Sequence, residues 1–242
     1  IQTALERLEQ RGRPRVLLIN LDDSLAIKDP DTRHLQGVDW HYYHAHNRKK
    51  RNRLQNGLAY LACNVVAGDR SFPFTVRPYL RKKTVRRINR HRPPERRIRF
   101  ICKYRLARQI LEDCRRLIPE DVAVYVQFDA WYASARLLKY IRRQGWHAIC
   151  GVRSNRTLSG QRLEKRFLAQ RHRRYVYVDI PAADGSTRTF LMRHMTGRLS
   201  KVPFDVRVLA TKRHYRDHHP VYFISTDLSL APHTALQWYA KR

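Results

Sequence analysis

The stretch Val122-Ala-Val-Tyr-Val-Gln-Phe-Asp129 is the part of the sequence from which the fold can be worked out. An apolar strand ends here in an aspartate, and the same arrangement occurs earlier, where Val16-Leu-Leu-Ile-Asn-Leu21 runs into Asp22-Asp23-Ser24. An aspartate after a strand is most often a turn or helix-cap residue. Acidic residues are scarce in this chain, however, since 50 Lys and Arg stand against 20 Asp and Glu. Two strand-end carboxylates in such a basic protein indicate metal-dependent chemistry on a polyanion.

The composition narrows the choice of partner. The net charge of +30 exceeds what solubility requires, and it favours nucleic acid as the partner. No stretch approaches the 18 apolar residues of a membrane span, so we expect no membrane partner. The 242 residues can bury one core, and we expect a single unit over residues 1–242 with a β-rich insertion over 160–230. The chain begins with Ile rather than Met, and we interpret it as a fragment; its four cysteines, with no C-x-x-C pair, are expected to be free thiols in a reducing compartment.

The order of predicted elements indicates the fold class. We expect a meander of three strands, then a helix, a fourth strand, a second helix and a fifth strand, which is the order of an RNase H-like mixed sheet flanked by helices. A segment rich in β-strands follows before the last helix, and the basic residues 81–99 are predicted to form an exposed connection. The predicted strands are 15–22, 35–46, 54–67, 122–129 and 146–152, then 175–180, 187–195, 206–211 and 221–225.

In an RNase H-like sheet the first and fourth strands are neighbours, which would bring Asp22 and Asp129 together. Two adjacent carboxylates repel each other unless a cation lies between them. Two Mg²⁺ ions could bridge them and activate an in-line attack on a phosphodiester. Order and spacing therefore favour a shared metal site over two unrelated turn residues.

The sequence around these aspartates resembles that of a known family. Asp22-Asp23-Ser24 is similar to the D-x-[S/T] element that ends the first strand of DDE transposases of bacterial insertion sequences. The block Val126-Gln-Phe-Asp-Ala-Trp-Tyr-Ala-Ser134, with Gly151-Val-Arg-Ser-Asn-Arg156 after it, resembles their second catalytic block through the fifth strand. Leu236-Gln-Trp-Tyr-Ala-Lys-Arg242 is similar to the opening of their Y-x2-R-x3-E-x6-K signature.

The resemblance implies a transposase that hydrolyses phosphodiesters at transposon ends and then transfers the DNA strand, with Mg²⁺ or Mn²⁺ as cofactor. It implies that Asp22 and Asp129 are the catalytic metal ligands. Asp22 is preferred to Asp23 because Ser24 follows it by two residues and shares its strand face, but Asp23 stays open as a substitute. The implied partner is double-stranded DNA, both transposon ends and target, and a homodimer in that complex is compatible with this.

Several further residues are predicted to contact DNA. Tyr239 and Arg242 are expected, from the resemblance, to position the DNA backbone. We expect phosphate contacts from the basic residues near the site and from a basic turn, and stacking on a base by Trp131. The basic residues are Arg153, Arg156, Arg48, Lys49 and Lys50.

The family's third carboxylate would fall at position 246, beyond Arg242, so we expect this chain to hold at most two of the three ligands. Two other interpretations stay open. One is a non-catalytic DNA-binding protein derived from a transposase. The other is a different RNase H-like nuclease, acting on RNA-containing duplexes.

Overall fold

The structure is a computed structural model, and it describes residues 1–42, 54–170, 174–182 and 185–242. The helices in these residues are α1 (Gln2–Gln10), α2 (Lys82–Asn89), α3 (Lys103–Arg115), α4 (Ala135–Arg143), α5 (Leu163–Ala169) and α6 (Pro232–Tyr239). The strands are β1 (Val16–Ile27), β2 (Asp39–Tyr42), β3 (Leu54–Ala67), β4 (Arg70–Tyr79), β5 (Ala123–Phe128), β6 (His147–Val152), β7 (Thr157–Leu158), β8 (Gln161–Arg162), β9 (Val176–Pro181), β10 (Thr187–Arg198), β11 (Asp205–Lys212) and β12 (Val221–Ser225). No helix among them is long and apolar enough to cross a membrane.

The chain forms two compact units. The first unit contains Ile1–Asn20, Val65–Phe72 and Arg115–Arg242, and the second contains Leu21–Asn64 and Pro73–Cys114. The candidate ligand Asp129 therefore belongs to the first unit, and Asp22 belongs to the second.

The first unit is built on a mixed sheet. Strand β5 pairs in parallel with β1 on one side and with β6 on the other. Strands β12, β11, β10 and β9 then follow β6 in antiparallel order. The predicted RNase H-like sheet is confirmed, including the adjacency of the first strand to the strand that leads to Asp129. The strand-rich segment before α6 is confirmed too, and it continues the same sheet because β12 pairs directly with β6.

The connection from β5 to β6 follows its sequence signals closely. Ser134 caps α4, since its hydroxyl accepts a hydrogen bond from the Leu137 N–H at 3.2 Å. The apolar positions of α4 are buried, which places the helix against β6. Gly145 ends the helix with a φ of 76°, a left-handed conformation that glycine adopts without strain.

Helix α6 packs on the sheet of the first unit. Trp238 meets Tyr125 of β5 edge to face, with ring centroids 4.7 Å apart. Ala235 and Leu236 are buried in a core cluster with strand residues from β1, β5, β6 and β9 to β11. The predicted helix after Pro232 is thus confirmed, and its last turn lies beside the end of β5.

The second unit corrects three expectations. Strand β2, predicted over 35–46, begins only at Asp39, and residues 43–46 lie outside the described part of the chain. Strand β4 was not predicted, because Pro73 and Pro78 interrupt its apolar pattern; proline is tolerated at a sheet edge, where no ladder hydrogen bond is needed. The basic segment 81–99 is not only a connection, since it contains α2, which buries Thr84 and Val85.

Candidate functional site

Asp129 lies half-buried directly after β5. Its Oδ1 accepts a hydrogen bond from the Trp131 N–H at 2.9 Å, and the Tyr132 N–H donates to its backbone carbonyl at 3.2 Å. This turn fixes the orientation of the side chain. Across the described residues, no hydrogen bond reaches the second carboxylate oxygen, Oδ2. Asp129 is therefore a turn residue that still offers an oxygen ligand.

The last helix brings Tyr239 and Arg242 to the same place. The Tyr239 hydroxyl donates to the carbonyl oxygen of Phe128 at 3.4 Å, one residue before Asp129. The guanidinium of Arg242 lies over the Tyr239 ring, 5.2 Å from its centroid. Gly151 permits this approach, because a Cβ there would lie 3.1 Å from the Ala130 nitrogen and 3.6 Å from the Tyr239 hydroxyl.

The predicted cations after β6 also gather near Asp129. The guanidinium of Arg153 lies 5.9 Å from the centre of the Trp131 ring, and Trp131 is 49% exposed. Two guanidinium nitrogens of Arg156, Nε and one terminal nitrogen, are buried without a hydrogen-bond partner in the described residues. A buried donor without a hydrogen-bond partner costs free energy. An anionic oxygen would accept hydrogen bonds from these donors, whereas an apolar neighbour would leave them unsatisfied.

Charged groups around Cys150 change the pKa of its thiol. Burial raises its pKa, Asp129 raises it further, and Arg156 and Arg242 lower it. All three charged groups therefore lie within electrostatic range of one buried atom. The structure thus brings five predicted site residues to the neighbourhood of Asp129: Trp131, Arg153, Arg156, Tyr239 and Arg242.

Two buried amides were missed by the sequence reasoning. Asn20 and Gln127 are paired across the parallel ladder, and Gln127 has no exposed surface. Both polar side-chain atoms of Gln127 and the Oδ1 of Asn20 lack a partner in the described residues, while the Asn20 Nδ2 donates to the Lys241 carbonyl at 3.4 Å. Each amide lies two residues before a candidate aspartate. That shared offset inside two apolar runs was the available sequence signal.

In the second unit, the two adjacent aspartates have different surroundings. Asp23 forms an ion pair with Lys103, whose ammonium lies 5.2 Å from the centre of the Tyr79 ring. Asp22 is exposed, and its Oδ1 accepts a hydrogen bond from the Asp23 N–H at 3.0 Å. The carboxylate of Asp23 is thus paired with a cation.

In the first unit, Asp129 is a carboxylate of the kind that ligates a hard divalent cation. Mg²⁺ typically takes one or two protein carboxylates and completes its shell with water and phosphate oxygens, and Asp129 supplies one such oxygen. Within residues 1–42, 54–170, 174–182 and 185–242, no group of three or more His, Cys, Asp and Glu side chains is arranged to hold a metal. The predicted phosphate contacts Arg48, Lys49 and Lys50 lie outside the described residues.

Comparison with known proteins gives the family. The family model described as DDE superfamily endonuclease matches residues 1–183. Among solved structures, the chain is similar to a piggyBac transposase in a synaptic complex with hairpin DNA, with a TM-score of 0.45 and 14% identity over 92% of this chain and 38% of that one. A search of curated proteins found no match. Because the family model matches well over half of the chain, the protein belongs to the DDE superfamily endonucleases.

Proposed function

We propose that this protein is the catalytic part of a DNA transposase of the insertion-sequence type, which hydrolyses phosphodiesters at transposon ends and transfers the strand to target DNA. The observation that carries the proposal is the parallel ladder of β1 and β5 in a DDE endonuclease. The ladder runs to the pair Asn20 and Gln127, and Asp22 and Asp129 each follow two residues later. That equal spacing supports assigning the same metal-binding role to the two carboxylates.

In this proposal Asp22 and Asp129 are the metal ligands, and Mg²⁺ is the cofactor, with Mn²⁺ as a substitute. Bound divalent ions would supply the activation of water or of a DNA 3′ hydroxyl for attack on the phosphodiester. The hydrogen bond from the Trp131 N–H holds the Asp129 carboxylate in a fixed orientation, with Oδ2 available. The D-x-S spacing of Asp22 and Ser24 supports Asp22 as the second ligand, with Asp23 as its substitute.

We assign the cations near Asp129 to contacts with the DNA. Arg156 and Arg242 act with Asp129 on the same buried thiol, and Arg153 lies over the ring of Trp131, two residues from Asp129. The chain has a net charge of +30, and guanidinium groups match phosphate geometry well. We assign them to the DNA backbone, together with Tyr239, and Trp131 to stacking on a base. The basic run Arg48, Lys49 and Lys50 stays a prediction of phosphate contact. Action on chromosomal DNA also implies a cytoplasmic, nucleoid-associated protein.

The test is a nicking assay on a plasmid that carries the cognate terminal repeats, with the full-length protein and with Mg²⁺, Mn²⁺ or EDTA. We expect Asp129→Asn and Asp22→Asn to abolish nicking while the gel shift of the same DNA is retained. Asp23→Asn is the matched control, because it changes the neighbouring charge by the same amount, and it should still nick. Undiminished nicking by Asp129→Asn would overturn the proposal.

Metal binding gives a second readout that does not depend on turnover. Calorimetric titration with Mn²⁺ should show binding to the wild-type protein that Asp129→Asn weakens and Asp23→Asn preserves. DNA binding without nicking in either metal would instead identify a non-catalytic DNA-binding protein. Cleavage of RNA–DNA duplexes without sequence preference would identify another nuclease of the same fold.

A further inference from the structure

Helix α2 in the second unit carries cations on two different sides. Its sequence Lys82-Lys-Thr-Val-Arg-Arg-Ile-Asn89 contains no acidic residue, and Arg90 continues the helical geometry with φ of −57° and ψ of −37°. Thr84 and Val85 face the interior and are buried. The cations on the remaining surface divide into two rows along the helix.

The first row is bonded to other parts of the protein. Lys83 forms an ion pair with the buried carboxylate of Asp39 at 2.8 Å, and Arg87 donates to the carbonyl of Val38 at 2.9 Å. Burial alone would raise the pKa of Asp39, but hydrogen bonds from Lys83 and Thr84 outweigh it and hold that pKa below its usual value. This row anchors α2 to the unit.

The second row is Lys82, Arg86 and Arg90, spaced four residues apart. All three side chains are exposed, and no hydrogen bond or ion pair links them to any residue that the structure describes. The helical rise puts successive members about 6 Å apart along the axis, on neighbouring turns of the helix. Three exposed cations therefore form one row along the surface of the helix.

We propose that this row binds the sugar–phosphate backbone of duplex DNA. The inference rests on the proposed function for its partner, because a DDE endonuclease acts on a polyanion that carries alternate phosphates of one strand roughly 7 Å apart along the helix axis. A membrane surface fits less well, since a helix that lies on lipid needs an apolar face toward the bilayer. The apolar side of α2, around Val85, is already buried in the protein.

These contacts would contribute affinity and orientation without sequence preference. They can be measured through the salt dependence of the DNA-binding constant. Each phosphate contact that is lost reduces the slope of log K against log salt by about 0.9. The variant Lys82→Ala, Arg86→Ala, Arg90→Ala should therefore bind a DNA duplex with a slope smaller by about 2.7 between 50 and 200 mM salt. Fluorescence anisotropy with a labelled duplex, in EDTA, gives both slopes.

The matched control removes the same charge from α4. Arg136, Lys139 and Arg143 are exposed there, and their triple alanine variant should keep the wild-type slope within experimental error. A slope unchanged by the α2 variant, or lowered equally by both variants, overturns the inference. Loss of binding to phosphatidylserine vesicles with no change on DNA would overturn it in favour of lipid. Failure of the proposed function is a separate result, because nicking is measured with metal and this binding is measured without it.

Discussion

Replacing Asp227 with asparagine tests how the last helix is held against the strand that leads to Asp129. Asp227 is 7% exposed, and its Oδ2 accepts a hydrogen bond from the Tyr125 hydroxyl at 2.5 Å. Its Oδ1 accepts from the Ser229 hydroxyl at 2.6 Å and from the Ser229 N–H at 2.8 Å. Tyr125 packs in turn against Trp238 of α6 and stacks on His147, so the carboxylate supports the contact between β5 and α6.

The pKa of Asp227 sets the expected magnitude. Burial alone would raise that pKa, but hydrogen bonds from Ser229 and Tyr125 outweigh it and lower the pKa from 3.8 to about 2. A pKa lowered on folding stabilises the protein at all pH values above 3.8, and the contribution is lost as the pH falls toward 2. The difference corresponds to about 2 kcal/mol at neutral pH. For a chain of this length that is a decrease in melting temperature of about 4 to 8 °C.

Thermal unfolding of wild type and Asp227→Asn, followed by circular dichroism at pH 7, 5 and 3, measures this contribution. The difference between the two proteins should be the same at pH 7 and 5 and should fall to roughly half at pH 3. Asp205→Asn is the control, because its ion pair with Arg198 at 3.5 Å is largely exposed and should contribute less than about 1 kcal/mol. A difference as large at pH 3 as at pH 7 would refute the electrostatic origin.

Two glycines give the remaining predictions. Gly57→Ala should lower the free energy of unfolding, measured by urea titration, by about 1 to 3 kcal/mol. The added Cβ would lie 2.5 Å from the Ala26 carbonyl oxygen, so the backbone would have to move. A variant as stable as the wild type would contradict this. Gly151→Ala should destabilise the protein less but slow nicking, because the atom that the added Cβ would crowd, the Ala130 nitrogen, adjoins Asp129. A wild-type nicking rate would show that the close approach of residue 151 to Ala130 is not needed.

The sequence predicts the first unit well because its signals are local and agree with one another. An apolar run that ends at Asp129 and a glycine after the following helix, Gly145, indicate the same strand, helix and strand. The grouping of Tyr239 and Arg242 with Asp129 came from a family signature, and the hydrogen bond from Tyr239 to Phe128 supplies its geometry. Periodicity alone does not give a contact between residues more than 100 positions apart.

The missed features share a physical cause. The buried face of α2 is only two residues wide in a segment dominated by arginine, so charge hides the helical period. The amides of Asn20 and Gln127 are polar residues in apolar runs, and only the register of the ladder makes them neighbours. Leu117 continues the helical spacing of Leu106, Ile110 and Cys114 in the sequence, but it is 57% exposed because α3 ends at Arg115.

The pairing of β12 with β6 has a consequence for engineering this chain. Removing residues 160–230, which the sequence suggests as an insertion, would strip β6 of its antiparallel partner and leave a buried apolar strand as an open edge. Open apolar edges recruit other chains and aggregate. The strand-rich segment therefore covers the edge of β6, the neighbour of the strand that leads to Asp129. A shortened version of this protein has to keep it.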